Sequence, residues 1–448
     1  MSLAKLGIKD EAIRLFTVRE LIEKDWLYKP LDGNHGEIHP KSEDFVAVGV
    51  PFVMASDIVN GRVDYAQCNH ITRKQADSLR KGFAHNGDVL LTHKATIGRT
   101  AIVSYAKQPY IMLTPQVTYY RVKNPCEINN KYLRYFFDFQ FFQDTIQLWA
   151  GAGSTRAYLG ITEQKKLPVL LPGIERQEKI ASILSAYDDL IESNHRRIGL
   201  LEQMAEELYR EWFVRFRFPG YQQVKFEKTI PQGWEPKKLG DLCRLIKRGI
   251  TPKYSDDSPR LVINQRCIRN GGVDLSAARQ HDTKVPTEKI IQHADVLINS
   301  TGVGTLGRVS VVEFEPNNLT CDTHVTICRA NAKKVNPYFF ACTVARLQQH
   351  FENLAVGSTG QTELGREEIA KVKILLPPEG LQTEFAKRIS SFWMIKIALT
   401  GSLKNLAEQR DQLLTRLISG KLPVDKLDIQ FPPSMCEADA ARQEVAHA

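Results

Sequence analysis

Two short stretches carry the residue types that contact phosphate. One reads THKATIGR, Thr92 to Arg99; the other reads NSTGVGTLGR, Asn299 to Arg308. Each sets cations, hydroxyls and glycines side by side. The second stretch, as GVGTLGRVS (302–310), comes near the nucleotide-binding pattern GxxxxGK[ST]. However, Arg308 stands where lysine belongs and Val309 where Ser or Thr belongs, and the first stretch lacks the leading glycine. A triphosphate loop is therefore disfavoured. The alternative is a β-hairpin or loop that presents polar side chains to a polyanion, with Gly98 and Gly307 allowing the backbone to approach a phosphate closely.

Other chemistry is sparse. The chain has no NPP[YF] or DPP[YF] tetrapeptide of the kind adenine methylation needs, and no Gly-rich S-adenosylmethionine loop after a strand. Its eight cysteines form no CxxC pair, which reads as a reduced, cytoplasmic protein. His35 and His39, with Cys68 and His70 beyond them, match no zinc spacing, so no metal is expected. With 43% hydrophobic and 25% charged residues, the 448-residue chain has the composition of a soluble globular protein. Its net charge of +9 favours a polyanionic partner, nucleic acid first. No run approaches the ~18 apolar residues of a membrane span, and no secretory signal opens the chain.

The elements that must position these residues are organised around two long helices. In Gln177–Phe213, Ile180, Ile183, Leu184, Tyr187, Leu190, Ile191, Ile198, Leu201, Met204 and Leu208 recur at three- and four-residue steps. Such a helix spans about 55 Å and needs a partner. Gln382–Lys421 repeats the pattern, with Phe385, Ile389, Phe392, Leu399, Leu403, Leu406, Leu413 and Leu417. The two predict one intramolecular coiled coil, in which Asn194 occupies an otherwise apolar position and either fixes register or faces solvent.

Everything before each helix also occurs twice. GDVLLTHKATIGR (87–99) matches ADVLINSTGVGTLGR (294–308), and GSTRAYLGITEQKKLPVLLP (153–172) matches GSTGQTELGREEIAKVKILLP (357–377). Short β-like runs, an aromatic helical segment (129–149 and 336–354), a Gly/Ser/Thr loop and a Leu-Pro strand follow in the same order in both halves. The predicted fold is α+β: two β-rich domains joined by two long helices in an antiparallel coiled coil, with an internal pseudo-two-fold repeat. A two-fold protein suits the two-fold symmetry of duplex DNA and reads two half-sites.

This order resembles the specificity subunit of type I restriction-modification enzymes. The resemblance is carried by LPVLLPGIERQEKIASIL, LLEQMAEELYREWFVRFRFPGY, IPQGWEPKKLGDL and ILLPPEGLQTEFAKRI with RDQLLTRLISGKL, and covers about 1–422. One departure is the opening: the second half starts with PQGWEPKKLGDL, the first with FTVRELIEKDWL. The resemblance implies target recognition domains at 1–172 and 218–377, a central helix at 173–217, a distal helix at 378–422, and leaves a disordered tail at 423–448. It implies a non-catalytic chain that binds double-stranded DNA and docks two methyltransferase subunits and restriction/translocase subunits. Those partners, not this chain, would use S-adenosylmethionine, ATP and Mg. The alternatives are a DNA-binding nuclease with an unrecognised site, or a coiled-coil scaffold that binds only protein.

For DNA contact, the paired loops supply His93, Lys94, Thr96 and Arg99, and Asn299, Thr301 and Arg308. Arg99 and Arg308 occur in both halves and suit a shared role, phosphate binding or a structural ion pair. Base reading belongs where the halves differ: Asn34, His35, Arg73 and Lys74 in the first, Lys253, Tyr254, Gln265 and Arg266 in the second. The Gly/Ser/Thr loops add Ser154, Thr155 and Arg156, and Ser358, Thr359 and Gln361. Arg196, Arg197, Arg210, Lys404 and Arg410 on the helices face DNA, partner subunits or solvent. Trp212 and Phe213, flanking the first helix, read as exposed aromatics that would limit solubility of the lone chain.

Overall fold

The computed structural model describes residues 12–35, 38–104, 107–151, 157–269, 271–355 and 363–430. Two compact units emerge. The first comprises residues 1–193 and 403–448, the second residues 194–402. The boundary crosses both long helices, Ile174–Tyr209 and Glu379–Ile418, so each unit contains a segment of each.

Both units are built on one plan. In the first, a four-stranded antiparallel sheet runs Thr100–Ile102, Val89–Thr92, Val117–Tyr120, Leu31–Asp32. In the second, the matching order is Val309–Val311, Val296–Asn299, Val325–Ala330, Cys243–Arg248. The central strands are buried on both faces, which is why they read as unbroken apolar runs rather than alternating ones. A two-stranded ribbon accompanies each sheet, Ile58–Val59 with Arg62–Val63 and Ile268–Arg269 with Gly272–Val273.

A second sheet, only partly legible in the hydrophobic pattern through the apolar runs FVAVGVPFVM and RLVIN, sits beside the first. It has five strands in unit 1 and three in unit 2, each sheet containing one parallel pair: Val50–Val53 with Ile111–Leu113, and Leu261–Ile263 with Thr320–Cys321. Gly33 and Gly249 mark where the two sheets touch. A Cβ on Gly33 would lie 2.0 Å from the Leu113 carbonyl oxygen, and one on Gly249 would lie 1.9 Å from that of Cys321. Only glycine permits that approach.

The unlike openings of the two halves prove equivalent. Arg14–Thr17 pairs antiparallel with Pro168–Leu171 as Glu235–Lys238 pairs with Lys373–Leu376. Thr17 then caps the helix Val18–Glu23 reciprocally with Glu20.

The aligned glutamines Gln177 and Gln382 fasten each long helix to its domain. The Gln177 side chain accepts from the Asn129 amide (3.0 Å) and donates to the Pro172 carbonyl (2.8 Å). Gln382 does the same with Asn336 (2.9 Å) and Pro377 (2.7 Å). Both asparagines cap the following helix, so one side chain joins strand end, helix start and cap.

Within each unit the helical segments pair antiparallel. In unit 2, Asn194, Glu202 and Tyr209 meet Ser402, Lys396 and Phe385 in turn. In unit 1, Arg176 and Asp188 meet Asp425 and Arg410. Asn194 is buried and donates to Ser402 Oγ (3.3 Å), which selects the register-fixing reading over the solvent-facing one. The apolar stripe is narrower than its sequence suggests: Leu190 and Met204 remain 53% and 52% exposed, because a single partner helix covers only a thin seam. Trp212 and Phe213 are not exposed aromatics. They are buried in the unit 2 core, on a π-helical turn (Arg210–Val214) that ends the central helix.

Candidate nucleic-acid interface

The paired loops adopt one backbone design. Each links antiparallel strands, so the near-miss nucleotide pattern leads into a strand, Val309–Val311, rather than into a helix. In unit 1 the Gly98 amide donates to the Thr92 carbonyl, and the Leu159 amide to the His93 carbonyl. In unit 2 the Gly307 amide donates to Asn299 and the Leu364 amide to Ser300. All four distances are 2.9 Å. The second loop is two residues longer, and Val303 at its tip is fully exposed.

Gly98 and Gly307 do not open toward a phosphate. A Cβ on Gly98 would strike the Gln143 side chain at 2.3 Å, and one on Gly307 the Glu352 backbone at 2.6 Å. These glycines let a helix pack under the loop.

Several predicted contact residues belong to the framework instead. His93 is fully buried; its Nδ1 lies 3.0 Å from the Leu159 carbonyl, and burial holds its pKa below the usual histidine range. Asn299 is buried too, donating to the Gln265 and Thr305 carbonyls at 3.0 and 3.1 Å. Asn34 is buried between the Lys81 carbonyl and the Arg80 amide, which donates to its Oδ1 at 3.0 Å. Each ties a loop to a neighbouring segment, a need that a sequence cannot separate from DNA contact. Arg99 spans the alternatives. It is exposed, yet its Nη1 meets the Ala55, Ser56 and Ile58 carbonyls at 3.2–3.4 Å, holding the loop to the ribbon.

What remains on the surface differs sharply between the units. In unit 1, Lys94 and Thr96 are exposed beside Tyr158. His35 Nε2 lies 2.8 Å from Asp32 Oδ2, and Lys81 Nζ lies 2.5 Å from Asp32 Oδ1. Burial raises the Asp32 pKa, but these partners outweigh it and hold the carboxylate below its usual range. Strand register puts Arg248 of unit 2 where Asp32 stands: Asp32 pairs with Thr118, and Arg248 with Thr326. Arg248 engages Glu363, so the charge at this position is reversed. Nearby, Thr301 Oγ1 lies 2.5 Å from Nδ1 of the exposed His324.

Arg73 and Lys74 are exposed on the helix Arg73–Ser78. Arg73 pairs with Asp77 (3.0 Å) and stacks over Tyr110 (4.6 Å). Lys253 is exposed, and the half-exposed Tyr254 ring lies 3.4 Å under the Arg279 guanidinium. Gln265 is half-buried and Arg266 exposed, next to Asn264, which caps the short turn Gln265–Cys267. Ser154, Thr155, Arg156, Ser358, Thr359 and Gln361 lie outside the described residues. On the helices, Arg210 pairs with Glu206 and Glu207, Arg410 with Asp188 and Asp411, and Lys404 sits near Glu408.

One repeated feature escaped the sequence reading. The ribbons carry IVNGRV (58–63) and IRNGGV (268–273). Asn60 and Gly61 both have positive φ, 50° and 78°, as a two-residue hairpin turn requires. The Asn-Gly pair between short apolar runs was the available signal. Each ribbon walls a cleft with the paired arginine on the other side. In unit 1 the cleft is about 490 Å³ and includes Gly61, Arg99, Arg134 and Arg410; in unit 2 it is about 620 Å³ and includes Arg269, Gly271, Arg308 and Gln348.

Among the described residues no group of His, Cys, Asp or Glu is arranged to hold a metal, and no helix is long and apolar enough to cross a membrane.

Comparison with known proteins follows the same duplication. The type I restriction modification DNA specificity domain matches residues 22–203 and again 231–409. The chain is 26% identical over 429 residues to the type I restriction enzyme MjaIX specificity subunit of Methanocaldococcus jannaschii, covering 91% of this chain and 95% of that one. It is 21% identical to the HindI specificity subunit of Haemophilus influenzae, covering 83% and 94%. The crystal structure of the type I restriction-modification S subunit from M. genitalium shares the fold, with a TM-score of 0.56 at 16% identity over 93% of this chain and 97% of that one. Two copies of the family's domain on two copies of one structural plan place this protein among the type I restriction-modification specificity subunits, the non-catalytic chains that give such enzymes their DNA recognition.

Proposed function

We propose that this chain reads a bipartite duplex DNA target, one half-site per β-rich domain, through the loop-bearing end of each four-stranded sheet. The observation that carries this reading is a constant backbone with exchanged side chains. The loops share their hydrogen bonds, while Asp32 with His35 and Lys81 in one unit has Arg248 with Glu363 as its counterpart in the other. A scaffold held constant with its exposed polar groups varied is what two different half-sites require, since base-edge contacts specify and phosphate contacts position. Lys94, Thr96, His35, Arg73 and Lys74 in unit 1, and Thr301, His324, Lys253 and Arg266 in unit 2, are among the side chains available to reach DNA. In this reading the helices dock two methyltransferase subunits, and restriction/translocase subunits complete a cytoplasmic complex. S-adenosylmethionine, ATP and Mg act in those partners.

The test is methylation mapping. The chain is co-expressed with its methyltransferase subunit in a methylation-free host, and N6-methyladenine is located by sequencing. The expected result is a split motif methylated on both strands. Exchanging residues 1–150 for the same region of a relative is expected to change one half of the motif and preserve the other. A change in both halves at once would overturn the two-domain reading; absence of methylation from an assembled complex would overturn DNA targeting.

A further inference from the structure

The two ribbon clefts are equivalent in position but differ in electrostatics. In unit 1 every arginine that lines the cleft already has protein partners. Arg99 faces three carbonyls. Arg134 is bound by Asp138 (3.0 Å) and Asp188 (2.7 Å), and Arg410 by Asp188 and Asp411 (both 2.8 Å). Arg62, on the ribbon itself, is bound by Asp189 and Glu192 of the central helix.

Among the described residues, unit 2 lacks these ion pairs. Where unit 1 has Arg62, its ribbon has Gly272. The cleft is lined instead by Arg269 and Arg308, with the exposed Arg266 close by. Arg269 donates through Nε to the Arg266 carbonyl (2.8 Å), and Arg308 through Nη2 to the Gly304 carbonyl (2.8 Å). Among the described residues, neither pairs with a carboxylate, and none lines the cleft. Two acids stand nearby without pairing to either arginine: Glu352 accepts from the Gln348 amide (2.9 Å), whose oxygen accepts from the Val309 amide (3.2 Å), and Asp274 accepts from the Ser276 amide (2.9 Å). A guanidinium has five N–H donors in a rigid fork. With one used to fix its direction, each arginine keeps the rest of its fork for an external anion.

We infer that the cleft of unit 2 is a grip for the DNA sugar-phosphate backbone, formed by Arg269 and Arg308, which unit 1 does not duplicate because its own ion pairs neutralise the same position. This deepens the proposed DNA-reading role and rests on it. The phosphate grip sets the orientation of the second half-site, while the first domain engages its half-site with little salt-dependent contribution from the ribbon cleft.

The full chain, in complex with its methyltransferase subunit, is titrated by fluorescence anisotropy against a mixed-sequence duplex and a duplex bearing the methylated motif, over a range of salt concentrations. Arg269→Gln and Arg308→Gln are each expected to reduce the log–log salt slope by about 1. Both duplexes should weaken by the same factor, with the methylated motif unchanged. Arg269→Lys and Arg308→Lys keep the charge and are expected to keep the slope. Circular dichroism of each variant identifies a fold defect, and the Lys variants then carry the test. Wild-type binding with unchanged Gln slopes, or a lost slope in the Lys variants, would overturn the phosphate grip alone. A variant that alters the methylated bases would reassign the residue to base reading. No wild-type binding to either duplex would overturn the grip and the DNA-reading role together.

Discussion

Both helix-to-domain junctions combine an apolar seam with ion pairs, but in unit 1 the helices contribute aliphatic side chains beside a buried carboxylate, and in unit 2 a cluster of aromatic rings. In unit 1, Asp188 of the central helix receives Arg134 (2.7 Å), the Tyr135 hydroxyl (2.7 Å) and Arg410 of the distal helix (2.8 Å). In unit 2, Phe213 packs against Phe339 (4.9 Å) and Phe385 (4.8 Å), and Tyr209, Trp212 and Trp234 close around them. The lesson is that the duplicated framework constrains backbone geometry, not the chemistry that fills it. The glutamines Gln177 and Gln382 place both helix starts alike, and each junction beneath is then free to be filled by its own means. The aromatic junction draws stability from apolar burial and ring packing. The ion pairs around Asp188 contribute less than the aliphatic side chains packed beside them, because desolvating the charges offsets much of their attraction, but they fix geometry through directional bonds.

The largest effect is expected on the aromatic side. Phe213→Ala removes a ring from a fully packed cluster and should cost about 3–5 kcal/mol, seen as a lower calorimetric unfolding midpoint. A change within error would mean the cluster repacks around the gap. On the ionic side, Arg134→Met strands Asp138, while Asp188 keeps Arg410, and should cost up to a similar amount, about 3–5 kcal/mol. Unlike the aromatic loss, it should be partly recovered by adding Asp138→Leu. Failure of the second substitution to help would show that Asp138 is not strained by its burial.

The smallest and sharpest test is pH. Burial alone would raise the Asp188 pKa, but Arg134 and Arg410 outweigh it and hold the carboxylate below its usual range. A lowered folded-state value means that its stabilisation is fully present above the ordinary aspartate range. It is lost as pH falls below about 4 toward the folded value. Asp188→Asn should therefore be destabilising at neutral pH, with the gap to wild type closing under acid. Asp138 titrates with the opposite sign, since burial raises its pKa beyond what Arg134 offsets. A constant gap across the acid range would exclude Asp188 as the titrating group.

Local signals made the long helices, the repeat and the order of elements legible. Apolar spacing marked the stripes, and the same glycines, prolines and glutamines recur at matching places because both halves need the same backbone turns. The central strands stood out because burial on both faces leaves them uniformly apolar. The second sheet did so only in part: Val50–Val53 and Leu261–Ile263 lie in apolar runs, but pieces such as Phe83–Ala84 and Thr320–Cys321 are too short to show alternation and exist only by pairing with distant segments. The candidate site was legible as loops but not as side chains. His93, Asn34 and Asn299 have the same polar character as Lys94 and Thr96, and only long-range contacts decide which turn inward. The same holds for charge. Arg99, Arg134, Arg269 and Arg308 are alike in sequence, but their carboxylate partners, where they have them, arrive from elsewhere in the chain, as Asp188 does for Arg134. Composition and periodicity are properties of neighbours along the chain, and they established the architecture. The availability of a charge for DNA depends on neighbours in space, and was set only when the chain folded.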